Sequence, residues 1–329
     1  MSYTSLLPLI KRKKSDLSPK EFHSRVNVVF HNFEADHYDK IHDDMKESLQ
    51  EQIDLLVADL LNSKKSDLNN LSILDVGCGT GLSTQTLLQS ALGKHIETIT
   101  LLDTSPNMLK YAEVKAKKWG KKYDLINADI SKINQKFDVI IICSVLHHIP
   151  ELKSFLSKID DLLNENGILI HLQDPNGDYL GDENYKKRIA DYISVIELQP
   201  KKFSIQKLFP KKWKQYINRQ LGKKTYIDLV NDKLIAEKTI KKRMSADEIW
   251  SVTDIHIETK GDTENKGISL KFLKNELKNF TLVNQRSYGF YGFLKSDLLP
   301  VFKDKEAALI AKNELSGRNL SCIWIKKNS

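Results

Sequence analysis

Apolar residues recur at three- and four-residue steps over 44–62, at Met45, Leu49, Ile53, Leu56, Val57 and Leu60, and this spacing predicts an amphipathic helix. A second helix is predicted over 22–33, behind a loosely held arm of residues 1–20. From residue 72 the pattern changes to short, nearly continuous apolar runs that alternate with helical segments. Strands are predicted at 72–76, 96–102, 123–126, 137–143 and 168–173. Helices are predicted between them at 82–92, at 106–116 behind Thr104 and Ser105, and at 150–163 with a stop at Asn166 and Gly167. Strands that are apolar throughout go with a parallel sheet covered on both faces. After Asp174 the rhythm breaks. Residues 175–250 are mostly helical in pattern, interrupted at Pro200 and Pro210. A helix at 268–278, a strand at 280–288, a helix at 303–315 and a strand at 320–326 close the chain, and no internal repeat is visible.

Composition narrows the class. The 329 residues are 40% hydrophobic and 29% charged, enough for a packed core and unlike a disordered chain. Fourteen glycines and eight prolines exclude collagen-like and linker-dominated sequences. Three scattered cysteines, Cys78, Cys143 and Cys322, make neither a disulfide framework nor a closely spaced metal pair, so no metal site is expected. The longest apolar run, 139–145, is far short of the ~20 residues that span a bilayer. The basic cluster Lys11–Lys14 follows the apolar stretch at 6–10, the reverse of secretory order. These features predict a soluble, cytoplasmic protein.

The net charge of +8 is local: residues 183–246 carry 17 Lys+Arg against 6 Asp+Glu, and the remainder is slightly acidic. Aromatic residues are mixed into that stretch, among them Tyr185, Tyr192, Phe203, Phe209, Trp213, Tyr216 and Tyr226. One reading is a solvated helical face over an apolar stripe. The other is a surface for an anionic partner: a phosphorylated metabolite, a carrier protein, an acidic membrane or RNA.

The most informative stretch is Ile73-Leu74-Asp75-Val76-Gly77-Cys78-Gly79-Thr80-Gly81. A buried strand runs into a turn with three alternate glycines and then a helix, so backbone can approach a ligand beside free N–H groups. The dinucleotide fingerprint needs a third small residue at Leu82 or Thr84, counted from either glycine pair, and both fail. The phosphate-loop Lys-Ser/Thr pair is absent too.

An acidic residue two before G-x-G-x-G resembles the first motif of class I S-adenosylmethionine-dependent methyltransferases, and the resemblance extends over residues 70–175. It implies an α/β fold: a Rossmann-like, doubly wound, seven-stranded and mostly parallel sheet, with N-terminal helices and a helical insertion between strands five and six. The implied division is a helical lid at 1–68, a cofactor-binding core at 69–175, the basic insertion at 176–265, and the last two strands with their helix at 266–329. The implied cofactor is S-adenosyl-L-methionine, leaving as S-adenosyl-L-homocysteine. Gly77, Cys78, Gly79 and Gly81 would wrap its methionyl part, and Asp75 would help fix the amino end. Asp103, ending the second strand 22 residues after Gly81, would bind the ribose hydroxyls, with Thr104 and Met108 beside it. Ala128, Asp129 and Ile130 would meet the adenine, and Cys143 and Ser144 end the fourth strand next to the cofactor. Tyr38, in a segment similar to the lid of such enzymes, would cover it. Cys78 and Cys143 also suit plain packing, and Asp103 or Asp129 could cap a helix or turn.

The implied reaction is in-line methyl transfer to a nucleophile. Just beyond the fourth strand, His147 and His148 are candidate bases, because imidazole titrates near neutrality; a structural turn is their other reading. The Asn/Asp-Pro-Pro-aromatic stretch of amine methylases and the Pro-Cys nucleophile of cytosine-carbon methylases are both missing. Val145-Leu146-His147-His148-Ile149 is similar to enzymes acting on small metabolites, lipids, quinones and natural products. The expected acceptor is therefore an oxygen or nitrogen of a small or carrier-bound metabolite, contacted by Asp174, Tyr185, Arg286 and Tyr288. The alternatives are an RNA methyltransferase that uses the basic aromatic insertion, and a partner subunit that has lost catalysis. A homodimer through the insertion is a further expectation.

Overall fold

The computed structural model describes residues 3–36, 38–41, 43–63, 68–179, 181–198, 224–256 and 267–328. Its centre is a seven-stranded sheet in the order β3-β2-β1-β4-β5-β7-β6. The strands are β1 (Leu71–Val76), β2 (Ile96–Asp103), β3 (Lys122–Asn127), β4 (Phe137–Cys143), β5 (Leu163–Pro175), β6 (Phe280–Tyr288) and β7 (Asn319–Lys326). All neighbours are parallel except β7, which runs antiparallel to both β5 and β6. The strand order reverses between β1 and β4. In open α/β sheets the crevice at such a switch point, beyond the carboxyl ends of the strands, receives ligands.

The helices are α1 (Leu7–Lys13), α2 (Pro19–Glu34), α3 (Tyr38–Ile41), α4 (Met45–Ser63), α5 (Leu82–Gln89), α6 (Pro106–Ala116), α7 (Leu152–Leu162), α8 (Glu183–Leu198), α9 (Tyr226–Ala236), α10 (Ala246–Thr253), α11 (Leu270–Glu276) and α12 (Pro300–Ala311). Val139, Ile140, Ile141 and Ile142 of β4 are fully buried. Alternate residues feed two cores, with Val139 and Ile141 on the α4–α5–α6 face and Ile140 and Ile142 on the α7–α11 face. Each such side chain contributes roughly 1.5–3 kcal/mol by burial. That is why the run is apolar throughout rather than alternating.

The insertion divides. From α8, Tyr192 packs its ring against Tyr291 and Phe302 near the C-terminal helix. Helices α9 and α10 instead join α1 and α2 in a third apolar cluster built on Phe22, Val26, Val230, Leu234, Ile249 and Val252. This cluster roofs the carboxyl edge of the sheet. Its helices start at strong caps: Ser18, Thr225 and Ser245 each form a reciprocal capping box.

Several boundaries differ from the pattern-based expectation. The helix predicted to reach 163 ends at Leu162, and β5 begins at once, because Leu163 already pairs with Phe137. A register shift follows, with Asn166 left-handed at φ 59°, before Ile168 pairs with Val139. So Asn166 and Gly167 mark an irregularity inside β5 rather than a helix stop. The helix predicted at 268–278 is shortened to Leu270–Glu276, since Ile268 bridges Asn176 and Ser269 is the cap. The last helix starts at Pro300 instead of 303, as proline suits the first helical turn, and ends at Ala311.

A buried carboxyl on α12 gives this fold a measurable pH signature. Glu306 is 2% exposed and accepts the Gly289 and Phe290 N–H groups at 2.7 and 3.1 Å. Burial outweighs these bonds and pushes its pKa up to about 7. A carboxyl raised in the folded state binds its proton more readily there than in the unfolded chain, so stability from this group rises as pH falls from 8 towards 5. Glu306→Gln removes that dependence. Urea denaturation at both pH values should show the parent gaining about 2 kcal/mol more than the variant on acidification.

Candidate active site

The glycine turn is held against β2. Gly77 and Cys78 both donate their N–H groups to the Leu102 carbonyl, at 2.8 and 3.0 Å. Gly77, Gly79 and Gly81 all have positive φ, at 66°, 52° and 82°. A Cβ on Gly77 would lie 2.6 Å from a Val145 methyl, so glycine there is dictated by packing as well as by φ. A Cβ on Gly79 would meet nothing within 4 Å: the loop turns open space towards the crevice.

Asp103 closes the other side. Its Oδ2 accepts the Gly79 N–H at 2.8 Å and its Oδ1 accepts the Ser105 N–H at 2.7 Å. Burial raises its pKa despite those donors and the nearby His31. Ser105 caps α6 through the Met108 N–H and also donates to Asn32 of α2, so the roof is bonded to the β2 tip. Thr104 is exposed, and Met108 is buried beneath it. Asp129 sits exposed past β3 and caps its own turn through the Ser131 N–H, with Ala128 and Ile130 half-buried around it.

Asp75 is fully buried and accepts the Ser83 and Thr84 hydroxyls at 2.6 Å each, which anchors the first turn of α5. Burial lifts its pKa to about 6. Its Oδ1 has no hydrogen-bond partner among the described residues. Its observed bonds therefore hold the loop, with one buried acceptor to spare.

The lid segment is latched over the loop. Asp39 accepts the Thr80 hydroxyl at 2.5 Å and pairs with Lys115 at 2.7 Å, while Tyr111 donates to Asp36 at 2.9 Å. Tyr38 lies between these contacts. Burial, followed by Glu34, Cys143 and Asp103, drives its phenol pKa upward.

Beyond β4, Ser144 adopts φ 59°, a left-handed conformation uncommon for serine and frequent at functional sites. The turn that follows carries the two histidines. Asp174, at the end of β5 and fully buried, accepts both the His147 N–H at 3.1 Å and the His147 Nδ1 hydrogen at 2.8 Å. That assignment puts the Nε2 lone pair of His147 outward, towards Asp254 Oδ1 at 3.7 Å. His148 Nδ1 lies 2.6 Å from the Thr253 carbonyl and 3.4 Å from Asp254 Oδ1. Burial, with His147 and His31 alongside, holds the His148 pKa well below that of a free imidazole. Against burial, Glu34 at 3.0 Å raises the pKa of His31, which also feels Asp103 and Asp254. His31 thus links the Asp103 edge of the crevice to the histidine pair. Its ring packs edge-on against His148, 5.3 Å between centroids.

The structure does not bring every expected substrate contact here. Arg286 is bound by Asp59 of α4 through two bonds of 2.7 and 2.9 Å, at the far edge of the sheet. Tyr185 is buried beside Arg188 and Arg318, within the α8 packing. The Arg286 guanidinium is therefore engaged by Asp59, and the Tyr185 ring is buried on α8. Tyr288 is buried and donates to Gln173 beneath the site, next to Cys143 and Asp174, so it supports the floor. Of the four, Asp174 belongs to the site, as the orienting partner of His147. Phe203, Phe209, Trp213 and Tyr216 lie outside the described residues. Pattern reading missed His31, Glu34, Thr253 and Asp254. Only the i,i+3 spacing of His31 and Glu34 on one helix face carried a signal.

Residues 74–169 match a family described as a methyltransferase domain. The matched stretch is under a third of the chain, so it is this segment that is similar to methyltransferase domains. The chain is 29% identical over 134 residues to a malonyl-[acyl-carrier protein] O-methyltransferase of Acetivibrio thermocellus, covering 41% of this chain and 43% of that protein. It is 31% identical over 111 residues to a ubiquinone biosynthesis O-methyltransferase of Pelagibacter ubique, covering 33% and 44%. The chain spans less than half the length of these curated relatives. Among solved structures, the magnesium protoporphyrin IX methyltransferase of Synechocystis with bound S-adenosylhomocysteine aligns over 93% of this chain and all of that one, at 16% identity and a TM-score of 0.46. The matched residues of the methyltransferase domain contain the glycine turn, Asp103, Asp129, Cys143 and both histidines. Among the described residues no helix is long and apolar enough to cross a membrane.

The crevice fits the cofactor that the glycine motif implies. Gly79 opens onto free space, Asp103 offers a carboxylate at the β2 tip, and Asp75 keeps a buried acceptor unpaired.

Proposed function

We propose that this chain transfers a methyl group from S-adenosyl-L-methionine to an oxygen of a small or carrier-bound metabolite. The observation that carries this reading is the joining of Gly79 to Asp103 beside open space, one strand away from a histidine oriented by a buried aspartate. The bound cofactor supplies a sulfonium methyl group and leaves as S-adenosylhomocysteine. In this reading the Gly77–Gly81 backbone and Asp103 hold it, Asp75 steadies the loop, and Tyr38 with the Asp39–Lys115 latch covers it. Asp129 and its neighbours border the adenine end. The acceptor enters between the β4 turn and the roof of α2 and α10, where the roof excludes water. His147, held by Asp174 with Nε2 outward, faces the acceptor hydroxyl and takes up its proton as the new bond forms. Two curated relatives carry names of O-methyltransferases, one for an acyl-carrier-bound malonyl group and one in ubiquinone biosynthesis, and this favours oxygen and a metabolite over RNA.

The test is label transfer. Purified protein with methyl-labelled cofactor and a cell extract should place label in an organic-soluble or carrier-bound species that carries it as a methyl ether or methyl ester. Label confined to RNA would overturn the acceptor assignment, and no transfer in any fraction would overturn the activity.

A further inference from the structure

The three side-chain donors around the acceptor side are spaced unlike a hydrogen-bonded set. His147 Nε2 and Asp254 Oδ1 stand 3.7 Å apart, and His148 Nδ1 and the same oxygen 3.4 Å apart. The first is too long for a hydrogen bond. Two ligands bound at ~2.1 Å in a tetrahedral zinc site lie about 3.4 Å from one another, close to both values. All three donor atoms fall within 4.8 Å of each other. We propose that His147, His148 and Asp254 form a binding site for one divalent cation of the zinc class.

A second observation points the same way. Asp174 is fully buried and accepts the His147 Nδ1 hydrogen at 2.8 Å. A carboxylate bonded to one ring nitrogen fixes the tautomer and orients the other nitrogen, the arrangement typical of metal-bound histidine. The backbone of this turn is bonded in place on both sides: His147 N–H to Asp174, and the His147 carbonyl to the His256 N–H at 3.1 Å. The donor set also selects the ion. Two imidazoles and one carboxylate suit zinc-class transition ions, whereas magnesium and calcium prefer all-oxygen sets. In the metal-free chain the Nδ1 of His148 is bonded to the Thr253 carbonyl. That bond puts the ring proton on Nδ1, so binding requires the proton to move to Nε2 and the 2.6 Å contact with the Thr253 carbonyl to open; no net proton is released by His148. Three protein donors leave a fourth position open, as in catalytic rather than structural zinc sites.

This inference deepens the proposed function, and rests on it only for the use of the ion: with the cation on Nε2, His147 acts as a ligand instead of a base, and an acceptor hydroxyl in the fourth position would be acidified by the cation and lose its proton to solvent. The site itself is independent of that use. Sequence spacing could not find it, because Asp254 stands more than a hundred residues from the histidine pair.

The test is calorimetric titration of the chelator-treated, full-length protein with zinc chloride, followed by metal analysis after gel filtration. About one zinc per chain is expected. Asp254, about a quarter exposed at the end of α10, tolerates a conservative change, so Asp254→Asn should fold and bind zinc at least tenfold more weakly. Asp174→Asn should also weaken zinc binding by about 10–100-fold while leaving all three ligands in place. Thermal melting of each variant reports whether it is folded. Absence of zinc binding by the parent overturns the inference, as does zinc binding that both folded variants leave unchanged. Methyl transfer that persists in zinc-free protein would leave the proposed function standing with a bare imidazole, so the two readings fail separately.

Discussion

Asp103→Ala will weaken binding of S-adenosylhomocysteine by about a hundredfold or more, because hydrogen bonds to a charged acceptor contribute roughly 1.5–3 kcal/mol each and a ribose offers two hydroxyls. The position makes the loss larger than that of an exposed cap. Its two oxygens currently tie Gly79 and Ser105, so the same carboxylate sets the loop and the start of α6. Removing it takes away the ribose acceptor and loosens the cradle together. Asp103→Asn keeps one carbonyl oxygen and should fall between alanine and the parent. Calorimetry with S-adenosylhomocysteine, on variants whose melting confirms an intact fold, decides the matter. Affinity within twofold of the parent in the alanine variant would show that the adenosine moiety is not held at the β2 tip.

The glycine turn and the β2 tip were readable from the chain because local physics places them. A buried apolar strand, an acidic end residue and glycines with positive φ follow one another within ten residues, and Asp103 arrives at the end of the next strand. The sheet follows from the same cause: the middle of the sheet is buried on both faces, so β4 is apolar without a break from Val139 to Cys143. β3 is an edge strand, with an exposed or half-buried residue at every position, yet its expected limits, 123–126, fall within one residue of those found; β5 runs furthest beyond expectation, from Leu163 to Pro175. The acceptor half is tertiary. Asp254 is contributed by a loop behind α10, and it meets His147 only because α9 and α10 pack on α2 through Val230, Leu234, Ile249 and Val252. Nothing in the local pattern of 246–254 announces that docking. Arg286 shows the converse error. A charged residue at a strand end invites a substrate role, yet Asp59, in the last turns of α4, pairs with it through a bidentate bond. Charge alone does not separate the two cases; the partner across the fold does.

His147→Ala will lower turnover by about 10²–10⁴-fold, the range for removing a positioned acid–base group. Cofactor affinity should stay within about threefold, since the cradle is built from the β1 turn and the β2 tip rather than from the β4 turn. The argument runs through Asp174. Because that aspartate is fully buried and holds Nδ1 at 2.8 Å, the ring cannot rotate freely, and Nε2 is presented at one fixed place under the roof. Asp174→Asn keeps the size of the side chain but can present its amide N–H to the ring, favouring the opposite tautomer. It should therefore lose a large part of the same turnover with little change in acceptor KM. His148→Ala removes a neighbour whose Nδ1 is already bonded to the Thr253 carbonyl, so as a bare base it should matter less than His147. Steady-state rates at saturating cofactor, measured from pH 6 to 9, separate these outcomes. Equal turnover in His147→Ala and the parent would remove the histidine from the chemistry and leave methyl transfer to alignment alone.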